Sequence, residues 1–158
     1  MRPQAHVAAS LVIWRAGPAP AWEAPLLVVA GNLPDFDRNV ARALGVRRRD
    51  HHRWVSHSFA GWAAPTWLAL RAARRGGRGP LRRATAALWV HLAMDTYADG
   101  IAWLWPVHRD KLGLFRQPAE IRDAGWRTPA PLHTNLGRIE ALLWSAVAVD
   151  VARRWARR

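Results

Sequence analysis

The 158-residue chain contains no cysteine. A disulfide framework, a thiolate metal site and a cysteine nucleophile are therefore excluded, and any metal ion must be held by histidines and carboxylates. Acidic residues are scarce: 11 of them face 24 basic residues, which gives a net charge of +13. All but one of the basic residues are arginines. The basic excess favours anionic partners. A GC-rich coding sequence explains the preference for arginine over lysine as well as guanidinium chemistry does.

Long apolar runs are also missing. No window of about 18 residues is free of charged residues and histidine, although a helix needs roughly 20 apolar residues to cross a bilayer. The longest candidates are residues 54–70, interrupted by His57, and 84–94, interrupted by His91. The N-terminal apolar stretch ends at Arg15, so we expect no cleaved secretory signal. These limits favour a protein that docks on, or partly enters, an anionic membrane surface, and solvated arginine clusters are the alternative.

What the chain contains in quantity is hydrophobic residues, at 51%, including 11 tryptophans. They lie in segments with helical spacing, separated by turns rich in proline and glycine, and strand-like alternation is missing. The predicted helices cover residues 4–14, 38–44, 54–75, 81–97 and a final segment that starts after Thr134. We therefore predict an all-α fold, a single domain over residues 1–158 with about five or six helices. The run at 24–30 fits a helix turn or a strand equally well.

Signals at the helix ends add detail. Asp37 can cap the helix 38–44, and Gly45 supplies the left-handed residue that closes it. Pro65 is expected to kink the long helix that contains it. Thr134 can cap the last helix, in which we expect one apolar stripe. Its members are Ile139, Leu142, Leu143, Ala146 and Val149.

A histidine and a carboxylate stand four residues apart at His91 and Asp95. On a helix their side chains project from one face at adjacent turns, which is the spacing needed to bind one cation with both groups. Burying this pair in an apolar helix without a partner would cost on the order of several kcal/mol. The alternative is a simple His–Asp hydrogen bond inside the core.

Two carboxylates, Asp35 and Asp37, follow Pro34 closely. A proline-stiffened loop can direct both of them into one site, where they supply the oxygen ligands that Zn²⁺, Mn²⁺ or Mg²⁺ accept. The cap of the following helix is the competing explanation for Asp37.

The densest polar group covers residues 51–58, with three histidines, an arginine and two serines. His57 is a candidate metal ligand, and Arg53 beside it can make planar two-point contacts to phosphate oxygens. His51 is expected to be solvated. His6, on the first apolar helix, would alone be assigned to the core, and the other groups make it a ligand candidate.

Taken in order, these motifs resemble the bacterial YdjM-like family of membrane-associated metal-dependent hydrolases. The matching pieces are His6, L-P-D-x-D at 33–37, H-R-x-x-S-H-S at 52–58, H-x-x-x-D at 91–95 and W-P at 105–106. Where the family usually continues with a T-P-x-G turn, this chain has residues 96–100, with Asp99 as an additional acid. The ligand order is also similar, more weakly, to the zinc phospholipase C and P1 nuclease group, which implies a multinuclear zinc site that cleaves phosphoesters.

The resemblance and the residues together predict a hydrolase at the bacterial inner membrane that cleaves a phosphoester or similar bond. One or two divalent ions are expected, zinc first, with manganese or magnesium as alternatives. The expected ligands are His6, Asp35, Asp37, His57, His91 and Asp95. Whichever of the two loop carboxylates is not committed to metal would be the general base. Arg53, with His52, would hold the substrate anion, and the basic segments 71–83 and 153–158 would lie on the cytoplasmic side.

Two alternatives remain. In one, a non-enzymatic basic protein binds anionic lipid or, less favoured, nucleic acid through its arginines and tryptophans, and the His/Asp groups are structural. In the other, a membrane protein carries a metal ion that only holds its helices together.

Overall fold

A computed structural model describes residues 2–45, 51–75, 78–115 and 134–157 of the chain. Its α-helices are α1 (Pro3–Arg15), α2 (Glu23–Asn32), α3 (Phe36–Ala43), α4 (Phe59–Arg75), α5 (Arg78–Ala98) and α6 (Asn135–Trp155). Short 3₁₀ turns lie at Leu33–Asp35, His51–Arg53 and Val55–His57. Within the described residues there is no strand, and one isolated bridge joins Ile101 to Leu112. The predicted all-α fold is confirmed, and the ambiguous run at 24–30 belongs to helix α2.

Helix α5 lies at the centre, since α1, α2 and α4 all pack against it, while α6 packs on α1. Small residues permit close approach between these helices: Ala5, Ala8 and Ala9 are buried in α1. Gly31 of α2 is placed equally tightly, because a Cβ atom there would collide with the Ser10 hydroxyl. The polar side chains between α1, α2 and α5 are thereby brought within contact distance.

The apolar core next to α5 is built around indole rings. It consists of Leu88, Leu92 and Ile101, with Trp62, Trp89 and Trp103 packed against them. Each of the three indole N–H groups donates to a protein oxygen at 2.6–2.9 Å; the acceptors are Ser56 O, Thr66 Oγ1 and Thr96 Oγ1. These three tryptophans are therefore core residues with a satisfied polar edge.

Two helix starts differ from the prediction. The interpretation of Asp37 as the cap of α3 is wrong: the helix begins at Phe36, its N-cap is Asp35, and no side chain caps it. Helix α4 begins at Phe59 rather than at residue 54, because Ser58 Oγ accepts the Gly61 N–H at 3.1 Å after a 3₁₀ turn. A serine in this position satisfies a backbone donor of the first helical turn.

Two helix ends match the prediction. Gly45 closes the segment after α3 with a φ angle of +67°, in the left-handed region that glycine tolerates. Thr134 caps α6, since its Oγ1 accepts the Gly137 N–H at 3.0 Å. The long helix α4 contains Pro65 in its interior.

Arg83, expected on the basic surface, is instead paired with a buried carboxylate. Arg83 makes a two-point contact with Glu23, with Nε–Oε2 and Nη2–Oε1 distances of 2.8 Å. Because the Glu23 side chain is buried, the pair ties the start of α2 to α5 rather than forming a surface charge. Arg71 and Arg82 are exposed, and the arginines at 47–49 lie outside the described residues.

Apolar side chains are conspicuous on the outside of the molecule. Three members of the predicted apolar stripe of α6 are exposed, namely Leu142 (70%), Ala146 and Val149, while Ile139 and Leu143 are half-buried. The buried positions of this helix are Leu136, Gly137 and Glu140. Trp67 on α4 is also exposed. Among the helices of the described part of the chain, none is both long and apolar enough to cross a membrane.

Candidate metal centre

Histidines and carboxylates from four separate segments meet in the interior. They form two groups that share one carboxylate, and within each group the candidate ligand atoms lie within 4.8 Å of one another. The first group is Asp35, His52, His57 and Asp95; the second is His6, His91 and Asp95. All of these residues except Asp35 are buried. The buried groups can therefore bind a metal ion.

The shared carboxylate of Asp95 sets the spacing of both groups. Its Oδ2 atom lies 3.1 Å from His91 Nε2 and 3.5 Å from the Nε2 atoms of His52 and His57. Its Oδ1 atom lies 3.3 Å from His6 Nε2. Neighbouring ligands of a tetrahedral ion with bonds of about 2.0–2.1 Å stand about 3.3 Å apart. The observed distances therefore fit ligands gathered around common ions.

The surroundings of His91 Nδ1 show which tautomer of the imidazole is present. His91 Nδ1 lies 2.7 Å from the Gly31 carbonyl oxygen, and a carbonyl can only accept a hydrogen bond. The proton of the neutral ring is therefore on Nδ1, and Nε2 presents a lone pair to Asp95. This is the orientation in which histidine binds metal ions.

A serine and a carboxylate orient His57 in the same way. The Ser56 hydroxyl donates to Asp37 Oδ2, so its oxygen accepts from His57 Nδ1 at 3.2 Å. The Nε2 lone pair of His57 then points to Asp35 Oδ1 at 3.4 Å and to Asp95.

An acid near the end of α5 orients His52. Asp99 Oδ2 lies 3.4 Å from His52 Nδ1 and 3.1 Å from Lys111 Nζ. Burial alone would raise the pKa of Asp99, but hydrogen bonds from His52 and Lys111 outweigh burial and hold that pKa below its ordinary value. Asp99 is therefore ionised at neutral pH and keeps the His52 proton on Nδ1.

Burial keeps the innermost histidines neutral. It lowers the pKa of His91 to about 3, and the pKa of His6, which also feels the nearby His91, falls well below 6.5. Among the described residues, both ring nitrogens of His6 and the Nε2 atom of His91 are buried with no hydrogen-bond partner. Such groups cost about 1–3 kcal/mol each when left unsatisfied, and a cation beside Asp95 would satisfy the Nε2 atom of each ring. The donor set therefore fits a divalent ion.

The remaining predicted site residues take different positions. Asp37 lies outside both ligand groups, where it holds Ser56 and lies 4.0 Å from His57 Nδ1. His52, predicted to hold the substrate anion, lies inside the first ligand group. Arg53 is exposed on its 3₁₀ turn, and the side chain of His51 lies outside the described residues.

Three residues that orient the histidines were not assigned this role from the sequence. Gly31 carries no signal of its own, because it acts through a backbone carbonyl. Ser56 belongs to the H-R-x-x-S-H-S motif, but the motif does not say that its hydroxyl orients His57. Asp99 does carry a signal: it follows Asp95 by four residues, and its N–H still bonds to the Asp95 carbonyl. Its side chain thus continues the face of α5 that carries the ligands.

A cavity of about 330 Å³ lies against Asp35. The described residues that line it are Pro3, Asn32, Asp35, Phe36, Arg38, Asn39 and Arg42. Asp35 is the most exposed of the ligand candidates, with 20% of its side chain accessible, and it touches both the cavity and His57. The cavity therefore adjoins the ligand groups at Asp35.

The comparisons with known proteins give one family. The model of the YdjM inner membrane protein family matches residues 1–155, which include every ligand candidate. No curated protein and no solved structure matches the chain, and the similarity to the zinc phospholipase C and P1 nuclease group stays a prediction. Because the match covers almost the whole sequence, this chain belongs to the YdjM family of inner membrane proteins.

Proposed function

We propose that the protein is a metal-dependent hydrolase that cleaves a phosphoester or similar bond at a membrane. The observation that carries the proposal is the approach of three imidazole Nε2 atoms to one carboxylate oxygen, Asp95 Oδ2, at 3.1–3.5 Å. Because their Nδ1 atoms face other acceptors, the three Nε2 atoms present lone pairs towards this oxygen. A cation held there would be coordinated by these residues.

The ligand groups suggest one ion or two. His6, His91 and Asp95 would hold one, Asp35, His52, His57 and Asp95 would hold another, and Asp95 would bridge them. Zinc suits a donor set of imidazoles and carboxylates, whereas magnesium and calcium prefer oxygen ligands alone. A bound ion supplies a water molecule that is acidic near neutral pH and positive charge for the departing oxygen.

The protein's own side chains divide the remaining work. Asp35 would be the ligand nearest the substrate, because its carboxylate touches both the ligand groups and the cavity. Asp37 and Asp99 act as positioning residues, since each fixes a histidine through its Nδ1 side. Arg53 stays a candidate for the substrate anion from the exposed end of its turn.

A non-enzymatic lipid-binding protein is the second candidate. It is favoured by exposed arginines near exposed tryptophans, such as Arg71, whose guanidinium lies 5.2 Å from the Trp67 ring centre. In that case a metal ion would only hold helices together. Metal content cannot separate the two candidates, but turnover can.

The test combines both measurements. The protein is purified in detergent without chelator, its metal is quantified by elemental analysis, and hydrolysis of generic phosphomonoesters and phosphodiesters is followed. We expect about one to two ions per chain and turnover that a chelator removes and added metal restores. The Asp95→Asn variant should lose both, whereas Asp110→Asn, a change of the same kind at an exposed residue, should keep both. Metal without turnover on any ester would support the structural role instead.

A further inference from the structure

Helix α3 presents two chemically different faces. Arg38, Asn39 and Arg42 line the cavity beside Asp35. Phe36, Val40 and Leu44 recur every four residues through the helix and its C-cap, and they are 58%, 51% and 72% exposed. Spacing of this kind places them in one stripe along the helix. The basic residues thus lie on the side of the helix opposite the apolar stripe, and the stripe meets the cavity at Phe36, which also lines it.

The charges of the cavity are not balanced by its described lining. Arg38 and Arg42 are one helical turn apart, and the carboxylate among the described lining residues is Asp35. Under the proposed function, Asp35 also serves the metal ions. The two guanidinium groups are then left for a ligand, and a phosphomonoester group with about −1.5 to −2 charge near neutral pH would neutralise them.

The cavity lies where the substrate must extend beyond the reacting bond. A phosphate that reacts at the ligand groups would reach Asp35, and the next group of the same molecule would enter the space between Asn32, Arg38 and Arg42. An aliphatic tail attached to that group could follow the exposed stripe of α3. In an inner membrane protein family, such a stripe can lie in the lipid interface, where an amphiphile would enter from the side.

We propose that the cavity binds the second phosphate of an amphiphilic diphosphate, with Arg38 and Arg42 as the residues that determine specificity. This inference deepens the proposed function and depends on it only for the identity of the bond that is cleaved. It assigns the substrate class: a lipid with two adjacent phosphates rather than one.

The test measures binding, so that it does not depend on turnover. The detergent-purified protein is titrated with the methylene-bridged, non-hydrolysable diphosphate of farnesol, with farnesyl monophosphate and with methylenediphosphonate, which has no tail. We expect the tailed diphosphate to bind most tightly. The double variant Arg38→Gln, Arg42→Gln should weaken its binding about 100-fold, because two charge-assisted contacts are lost, and change monophosphate binding less than about threefold.

Two further variants keep the result unambiguous. Arg74→Gln, on the exposed end of α4, removes the same charge away from the cavity and should bind like the wild type. Arg38→Lys with Arg42→Lys keeps the charge without planar two-point contacts and should give intermediate affinity. Unchanged binding in the double glutamine variant, or equal affinity for the tailed and tailless diphosphates, would overturn the inference. A protein that binds the tailed diphosphate in this way but turns over no phosphoester would instead overturn the proposed function.

Discussion

Two regions of the molecule can be compared by their polarity. The space between α1 and α5 is polar and buried, whereas the outer faces of α4 and α6 are apolar and exposed, the reverse of the usual arrangement in a water-soluble protein. Between α1 and α5, His6, His91 and Asp95 are fully buried. On the outside, Trp67 and Leu142 are mostly exposed. Buried polar groups and exposed apolar patches both cost free energy in water. Under the proposed function, a cation would offset the cost inside and lipid would offset the cost outside.

The largest expected effect is the loss of bound metal when the shared carboxylate of the buried region is replaced. Asp95→Asn removes the carboxylate that both ligand groups share, so we expect retained metal in elemental analysis to fall by more than the roughly 10–100-fold that loss of an outer partner costs. An amide cannot replace the negative charge, although it fills the same volume. The matched exposed variant Asp110→Asn should keep its metal. Equal metal content in both variants would mean that the convergence at Asp95 is a structural hydrogen-bond cluster.

The outer faces should be tested next. Membranes that contain the protein are washed in high salt, which releases proteins held by charge alone, since such attraction decays within a Debye length. We expect the wild type to stay bound until detergent is added, because apolar contact with lipid is not weakened by salt.

Replacing Trp67 and Leu68 by glutamine should make this retention sensitive to salt. Each exposed side chain contributes on the order of 1.5–3 kcal/mol when lipid covers it, so the membrane partition should fall about 100-fold or more. Ala86→Gln, exposed on a different helix, α5, should change nothing. Release of the wild-type protein by salt alone would mean that its arginines, and not the apolar face, hold it on the membrane.

A smaller loss of metal affinity is expected when a residue that contacts a ligand, and is not itself a ligand, is changed. Asp99→Asn leaves all ligands in place but removes the charge that holds His52 and Lys111. Loss of such an outer partner typically costs about 10–100-fold in metal affinity. Competition with a graded chelator should show one ion bound more weakly and the ion near His6 unchanged. Equal weakening of both ions would mean that the two groups behave as one site.

How far the sequence predicts this centre depends on the distance over which each signal acts. The four-residue spacing of His91 and Asp95 is local, so a helical pattern alone places both side chains on one face. The short motifs around Asp35 and His57 give candidate ligands, and only the packing of α1, α2 and α5 brings them together. The contribution of Gly31 could not be predicted, because every residue has a backbone carbonyl and the sequence does not show which one accepts a hydrogen bond from His91.

The tertiary contacts of the arginines could not be predicted from the sequence either. Composition predicts an excess of arginine on the surface, but it cannot tell that Arg83 is paired with buried Glu23 across 60 positions of sequence. Nor does it separate Arg38 and Arg42, which line a cavity, from the arginines of solvated helix ends. Such distinctions depend on tertiary contacts, which no local pattern encodes.

The smallest predicted effect separates the last helix from the centre. Thr134→Ala removes the side-chain oxygen that accepts the Gly137 N–H at the start of α6, and losses of this kind cost about 1 kcal/mol of folding stability. Since α6 packs on α1 and supplies no ligand candidate in the described residues, metal content should stay the same while the free energy of unfolding in detergent falls. Thr134→Ser keeps the hydroxyl and should restore most of the loss. If metal content fell together with stability, the position of His6 on α1 would depend on α6, and the interior and the outer face would not be independent.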